Sequence, residues 1–200
     1  MCAVGRRLFD RGLIGAREGN ISVRAGAGSL LCTPHGKCKG ELRPEELVLI
    51  GLDGSPRGEG RPSSEIGIHL AILAAQPQCT AVVHAHPLTA TAFGVAGRSI
   101  PEDLLPEASY VLGRVALVPF RMPGTSGLAD EVGRLAKAHK TLLLSHHGAT
   151  TAGADLWDAC DRMETLERVA QIILRAEALG GAVELPEKER AAVAALSESG

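Results

Sequence analysis

The run Ala81-Val82-Val83-His84-Ala85-His86-Pro87 constrains the chain more than any other stretch, because an apolar segment here ends in two histidines one residue apart. Read as a strand over Ala81 to His84, its side chains alternate between two faces and residues i and i+2 share one of them. His84 and His86 then point the same way. Two imidazoles side by side at a strand end can each offer a neutral nitrogen to one cation, and zinc is the commonest taker. A fold built around such a strand has to bring further ligands, a proton carrier and a substrate pocket from other elements.

Two hundred residues suit one domain with a full core. The formal net charge of −2, with both signs spread along the chain, offers no basic stripe to neutralise nucleic-acid phosphates. Three Phe, one Tyr and one Trp leave no aromatic platform for stacked bases, so the core is expected from Leu, Ile, Val and Ala. Five cysteines (Cys2, Cys32, Cys38, Cys79, Cys160) are odd in number and form no CxxC pair, which points to a reduced, cytoplasmic protein without a cysteine zinc site. No apolar run approaches the roughly 20 residues that span a bilayer, and the N-terminus lacks an uninterrupted apolar signal segment.

Residues 1 to 11 read as a short amphipathic helix stopped at Gly12 or Gly15. Gly19-Asn20 leads into a short strand with Ile21 and Val23 on one face and Ser22 and Arg24 on the other; Ser29 to Cys32 follows a Gly-rich turn at Ala25 to Gly28 as the second arm of a hairpin. Pro34 has no amide hydrogen to donate, so Thr33 to Lys37 is a loop. A third strand covers Val48 to Leu52, and the Gly-, Pro- and Arg-rich stretch from Gly51 to Pro62 is surface loop. A helix is expected from a serine N-cap at Ser63-Ser64, with Glu65 in its first turn, to about Ala75. Further on, the patterns predict a helix over Leu88 to Val95, a strand over Val115 to Phe120, a helix over Ser126 to Ala138, a buried strand over Thr141 to Ser145, and the longest helix over 154 to about 179. Beyond Gly180 the chain is rich in Glu and Lys, with a short helix from Pro186 and a loosely ordered tail from about 181.

Three features can build a metal site: the His84/His86 pair, the His146-His147 pair after a later strand, and Glu65 at a helix start. A single histidine in such a setting is ordinarily satisfied by hydrogen bonds within a core, and His69 and His139 are read that way. Neighbouring residues on a strand face opposite ways, so one of His146 and His147 joins the first pair, and spacing does not say which. Three histidines leave an open coordination position that can polarise a carbonyl, and a nearby carboxylate serves as proton carrier. Ser63 and Ser64 are ordinary capping residues that can also cradle an anion, since the first amides of a helix lack partners. Gly19-Asn20 and His35-Gly36 are loop residues that make turns or let backbone approach a ligand.

Five short pieces in order, GNIS (19–22), TPHG (33–36), PSSE (62–65), VVHAHP (82–87) and HHG (146–148), resemble the motifs of the class II (zinc-dependent) aldolase/adducin family. The resemblance implies a single three-layer α/β/α domain over residues 1–200 with a largely antiparallel central β-sheet, commonly assembled as a homotetramer with active sites at subunit interfaces. The sequence is most similar to the fuculose-1-phosphate aldolases. That likeness implies that His84, His86 and His147 hold one Zn²⁺ per subunit, that Glu65 is the acid/base, and that the substrate phosphate lies among Asn20, Gly36, Ser63 and Ser64. The implied function is that of a lyase of carbohydrate metabolism, an aldolase cleaving a ketose 1-phosphate to dihydroxyacetone phosphate and an aldehyde. Sugar-phosphate epimerases and dehydratases share the scaffold, and an adducin-like interaction module without chemistry is the reading from a different class. Related epimerases carry an aspartate where Glu65 stands, and a module has no use for His84, His86, His147 and Glu65 together. Two positions depart from the pattern: His35 stands where the family has a small Thr or Ser, and Tyr110, the one tyrosine, aligns with neither tyrosine of the fuculose enzymes.

Overall fold

The computed structural model describes residues 1–26 and 28–197. Helix α1 (Cys2–Asp10) precedes strands β1 (Asn20–Arg24), β2 (Ser29–Cys32) and β3 (Val48–Gly51), helix α2 (Ile66–Ala75), strand β4 (Ala81–Ala85) and helix α3 (Leu88–Val95). One π-helical turn at Ala108–Leu112 is followed by β5 (Ala116–Val118), α4 (Ser126–Ala136), β6 (Thr141–Leu144), β7 (Gly148–Gly153), α5 (Leu156–Ala178) and α6 (Glu187–Ser197). The strands form one sheet in the order β3-β2-β1-β4-β7-β6-β5. Neighbours are antiparallel except for β5 with β6, so the α/β architecture holds a largely antiparallel sheet with one parallel pair at its edge.

The central strand β4 is buried along its whole length, and its alternation assigns the two layers. Ala81, Val83 and Ala85 pack with Val4 and Leu8 of α1, Phe93 of α3 and Met163 and Leu166 of α5. On the other face, Val82 joins Ile68 and Ile72 of α2 and Leu128 and Val132 of α4. His84 falls on this second side. Polar side chains of β1 share it: Ser22 sits beneath α2, and Arg24 donates to the carbonyls of Leu73 and Cys79.

Several boundaries differ from the sequence expectation. Helix α2 begins at Ile66 instead of being capped by serine, because Glu65 occupies the N-cap position with its carboxylate turned to the histidines, and the Ser63 hydroxyl accepts from the Glu65 amide at 3.3 Å. Strand β5 is shorter than Val115 to Phe120. Strand β7 lies outside the sequence expectation, since Gly and Ala make up four of the six residues Gly148-Ala149-Thr150-Thr151-Ala152-Gly153 and mask the signal of the two threonines. Its smallness is what its position demands. A Cβ on Gly153 would fall on the Ala159 amide nitrogen and within 2.6 Å of the Asp155 carbonyl, both in the N-cap region of α5. The turn expected at Ala25 to Gly28 includes residue 27, and the polar end includes 198–200; these lie outside the described residues.

Gly153→Ala is therefore expected to destabilise the fold by about 1–3 kcal/mol, since backbone rather than a flexible side chain has to yield. Urea unfolding of the purified variant checks this, and an unchanged midpoint would show that the β7–α5 junction is loosely packed.

Candidate metal centre and active site

The site is assembled where β1, β4 and β7 end together. Asn20 pairs with His84 across β1 and β4, and His84 pairs with Thr150 across β4 and β7. Gly19 makes the first approach possible: at φ +67° its Cα lies so close to β4 that a Cβ would sit 2.7 Å from the His84 carbonyl oxygen. His86 follows β4 and its amide donates to the Leu13 carbonyl at 2.9 Å, tying the strand end to the loop after α1. His146 and His147 lie in the turn between β6 and β7 rather than on a strand, and His146 takes φ +56°. That left-handed residue turns His146 outward against Phe120, with ring centroids 6.0 Å apart, and His147 inward. Gly148 then packs against the pair already in place, since a Cβ there would meet the Ala85 carbonyl at 2.5 Å and the His86 ring at 2.6 Å.

His84, His86 and His147 present ligand nitrogens that all lie within 4.8 Å of one another. The His84 Nδ1–H donates to the Ala149 carbonyl at 2.9 Å, so Nε2 carries the lone pair. It faces His86 Nε2 at 3.2 Å. His147 Nε2 and Glu65 Oε1 stand 2.8 Å apart, yet neither buried atom has a hydrogen-bond partner of good geometry. Three imidazole nitrogens gathered at one point beside a carboxylate, with His147 Nε2 and Glu65 Oε1 lacking good hydrogen bonds, fit a divalent metal, since neutral nitrogen donors with an open position suit one. The same crowding lowers the His86 pKa to about 4, burial first and then the charges of His84 and His147. Burial alone would raise the Glu65 carboxyl, but the close approach of His147 (2.8 Å) and His84 (3.4 Å) and their charge hold it well below the usual carboxylate range. Glu18 Oε1 lies 3.7 Å from His86 Nδ1, on the outer side of that ring, while Oε2 accepts from the Gly15 amide.

The residues expected around a phosphate fall in two groups. The TPHG and PSSE loops are held together by the His35 amide, which donates to the Arg61 carbonyl at 2.8 Å, and by a bridge between Pro34 and Pro62. Gly36 (φ +71°), half-buried, and Ser64, exposed, flank this junction, and Ser63 is buried. Asn20 instead is 3% exposed with its amide turned inward, Nδ2–H donating to Glu65 Oε2 at 3.1 Å and Oδ1 facing His69 Nε2. Beneath the loops Lys39 is buried and donates to the carbonyls of Arg17 and Lys37, and burial pushes its pKa down.

A family model for the class II aldolase and adducin N-terminal domain matches residues 1–174. The chain belongs to the class II aldolase and adducin family. It is 36% identical to a 3-oxo-tetronate 4-phosphate decarboxylase of Pectobacterium atrosepticum over 177 residues, covering 86% of this chain and 81% of the relative. It is 32% identical to an L-fuculose phosphate aldolase of Methanococcus maripaludis, covering 82% and 89%. Among solved structures, YgbL of Escherichia coli superposes with a TM-score of 0.91 at 31% identity over 97% of this chain and 95% of that one. An L-fuculose 1-phosphate aldolase gives 0.88 at 26% over 97% and 92%. The fold expected from the five motifs is thus the family fold, with relatives named for two different carbon–carbon cleavages.

Sequence reasoning assigned no role in the site to two of its neighbours, His69 and Ser22. His69 is fully buried, hydrogen-bonded to Asn20 and to Ser22, with its pKa lowered to about 3, mainly by burial. The signal was present: Glu65 and His69 are four apart at a helix start, and Asn20 and Ser22 are two apart on a strand. Because His69 and His86 titrate far below the ordinary 6.5, the unfolded chain binds up to about two more protons than the folded one between pH 6.5 and 4. Stability of the metal-free protein contributed by these rings is therefore complete above pH 6.5 and lost as pH falls through that window. Urea denaturation of metal-free protein at a series of pH values should show the decline, and a flat profile from 6.5 to 4.5 would contradict it.

Proposed function

We propose that the protein is a zinc-dependent lyase that decarboxylates a phosphorylated four-carbon 3-oxo acid, 3-oxo-tetronate 4-phosphate or a close analogue, to dihydroxyacetone phosphate and CO₂. The aldol cleavage of a ketose 1-phosphate, expected from the sequence, is the second reading on the same site. Both break a carbon–carbon bond next to a carbonyl and leave an electron pair on the dihydroxyacetone phosphate fragment. They differ in what departs. An aldehyde leaves only as a hydroxyl proton is taken from it, whereas CO₂ leaves without a proton.

One observation favours the decarboxylase. The one tyrosine, Tyr110, lines a cavity with Gln76, Gln78, Lys137 and Arg162. Gln76 caps the end of α2 opposite Glu65, so within this chain Tyr110 is remote from His84, His86 and His147. The relatives named as decarboxylases, at 34–36% identity over 86% of the chain, support the same choice.

His84, His86 and His147 would hold the Zn²⁺, whose chemistry is that of a Lewis acid for the substrate's carbonyl and neighbouring hydroxyl oxygens. Glu65, beside His147 and His84, passes a solvent proton to the carbon that has lost CO₂. The His35–Arg61 junction supports reading Gly36, Ser63 and Ser64 as the seat of the phosphate, and Asn20 keeps one amide hydrogen not used on Glu65. Exposed Phe120 and Met122 beside His146 suit the subunit borders of the homotetramer that the family resemblance implies.

Zinc-loaded protein is expected to release CO₂ and dihydroxyacetone phosphate in equal amounts from 3-oxo-tetronate 4-phosphate and to leave fuculose 1-phosphate intact. Aldehyde formation from the ketose phosphate with no CO₂ from the oxo acid would reverse the choice. Glu65→Gln is expected to retain zinc and lose about 10²–10⁴-fold in turnover, while His147→Ala loses the metal. Elemental analysis beside the assay separates the two roles, and the opposite pattern would mean that ligand and proton carrier are exchanged.

A further inference from the structure

Behind the half-buried Glu65 at the start of α2 runs a line of three buried polar side chains drawn from two elements: Asn20 and Ser22 on β1, and His69 on α2. Ser22 Oγ lies 2.7 Å from His69 Nδ1, His69 Nε2 lies 2.5 Å from Asn20 Oδ1, and Asn20 Nδ2 lies 3.1 Å from Glu65 Oε2. We propose that His69 is a positioning residue for the reaction: anchored by Ser22, it locks the Asn20 amide so that Asn20 holds the Glu65 carboxylate in place beside His84 and His147. The proposal rests on Glu65 being the proton carrier.

The proton arrangement follows from one end of the line. An ionised carboxylate only accepts, so the Asn20 group facing it is the NH₂. The Asn20 oxygen therefore faces His69 and accepts as well, which requires the proton on Nε2. The other nitrogen of a neutral ring is bare, and the Ser22 hydroxyl donates to it. All four groups are satisfied in this direction. If the Asn20 amide were reversed, its oxygen would oppose the carboxylate.

Exposure decides that no water stands in for a missing partner: Ser22 and His69 are 0% exposed and Asn20 3%. The need for a restraint is visible at the other end. Glu65 stands 2.8 Å from His147 Nε2 and 3.4 Å from His84 Nε2, where a free carboxylate would itself be a good ligand for a cation. Asn20 holds Oε2 from the opposite side and keeps Glu65 available for proton transfer. His69 touches neither substrate nor metal and acts only through Asn20.

The experiment is a double-variant cycle on zinc-loaded protein. His69→Leu is expected to lower kcat about 10- to 100-fold with KM and zinc content nearly unchanged. His69→Gln, whose amide can donate to the same Asn20 oxygen, should recover most of the loss. In an Asn20→Ala background His69→Leu should cost less than about twofold, because the route it acts through is already gone. Independent, additive losses would overturn the proposal, as would kcat, KM and zinc content falling together. A second measurement is free of substrate and of variant folding. The ¹⁵N spectrum of wild-type holoprotein should show His69 as the neutral Nε2–H tautomer, and the Nδ1–H tautomer would overturn the line. If that tautomer is present while the wild type releases no CO₂, the decarboxylase reading fails and the positioning role stands, to be followed with the substrate that is turned over.

Discussion

The site depends on a strand that cannot move. β4 is the middle of seven strands, buried on both faces and hydrogen-bonded on both edges, so the direction of His84 is fixed by the sheet itself. Everything else is brought to it. The loop after α1 is docked on the His86 amide, the β6–β7 turn is pressed against the His86 ring, and the start of α2 is laid across the end of β1. Metal ligands need placement to a fraction of an ångström, and a central strand flanked by two antiparallel neighbours supplies it more surely than a loop.

That rigidity explains the small residues around the site. Gly19 and Gly148 both stand where a Cβ would strike the backbone of β4 at its C-terminal end, at the His84 and Ala85 carbonyls. One allows β1 to enter pairing with Asn20 opposite His84. The other lets the His146-His147 turn close over the strand end. Crowding three imidazoles into this corner disfavours a proton on His86, as its depressed pKa records. A divalent cation held among the three nitrogens would take the place of that proton, which would make its affinity depend on pH.

How far the sequence could be read follows from where the physical signal lies. Strand β4 was legible because its apolar run and HxH spacing are local. The choice between His146 and His147 was not, because alternation on a strand was the wrong geometry: the pair sits in a turn, and a left-handed φ at His146 decides which ring points inward. Strand β7 was hidden because four of its six residues are Gly or Ala, which are depleted in strands and outweigh the signal of Thr150 and Thr151. His69 was hidden for the opposite reason. Taken alone it is an ordinary core histidine, and only the register of β1 against β4 beneath α2 sets Asn20 and Ser22 against it.

The GNIS motif gains a different physical meaning from this. Ile21 fills the core on the α5 side, while Asn20 and Ser22 on the other side form the line that ends at Glu65. Gly19 permits the approach. A motif that reads as a loop for an anion is in this chain also the support of the Glu65 carboxylate, and its residues are held by different requirements. The two uses meet at the Asn20 amide nitrogen, which has two hydrogens: one is committed to Glu65, and the other is the one a substrate oxygen can take. On the proposed reading, a single side chain links the position of the substrate to that of the Glu65 carboxylate.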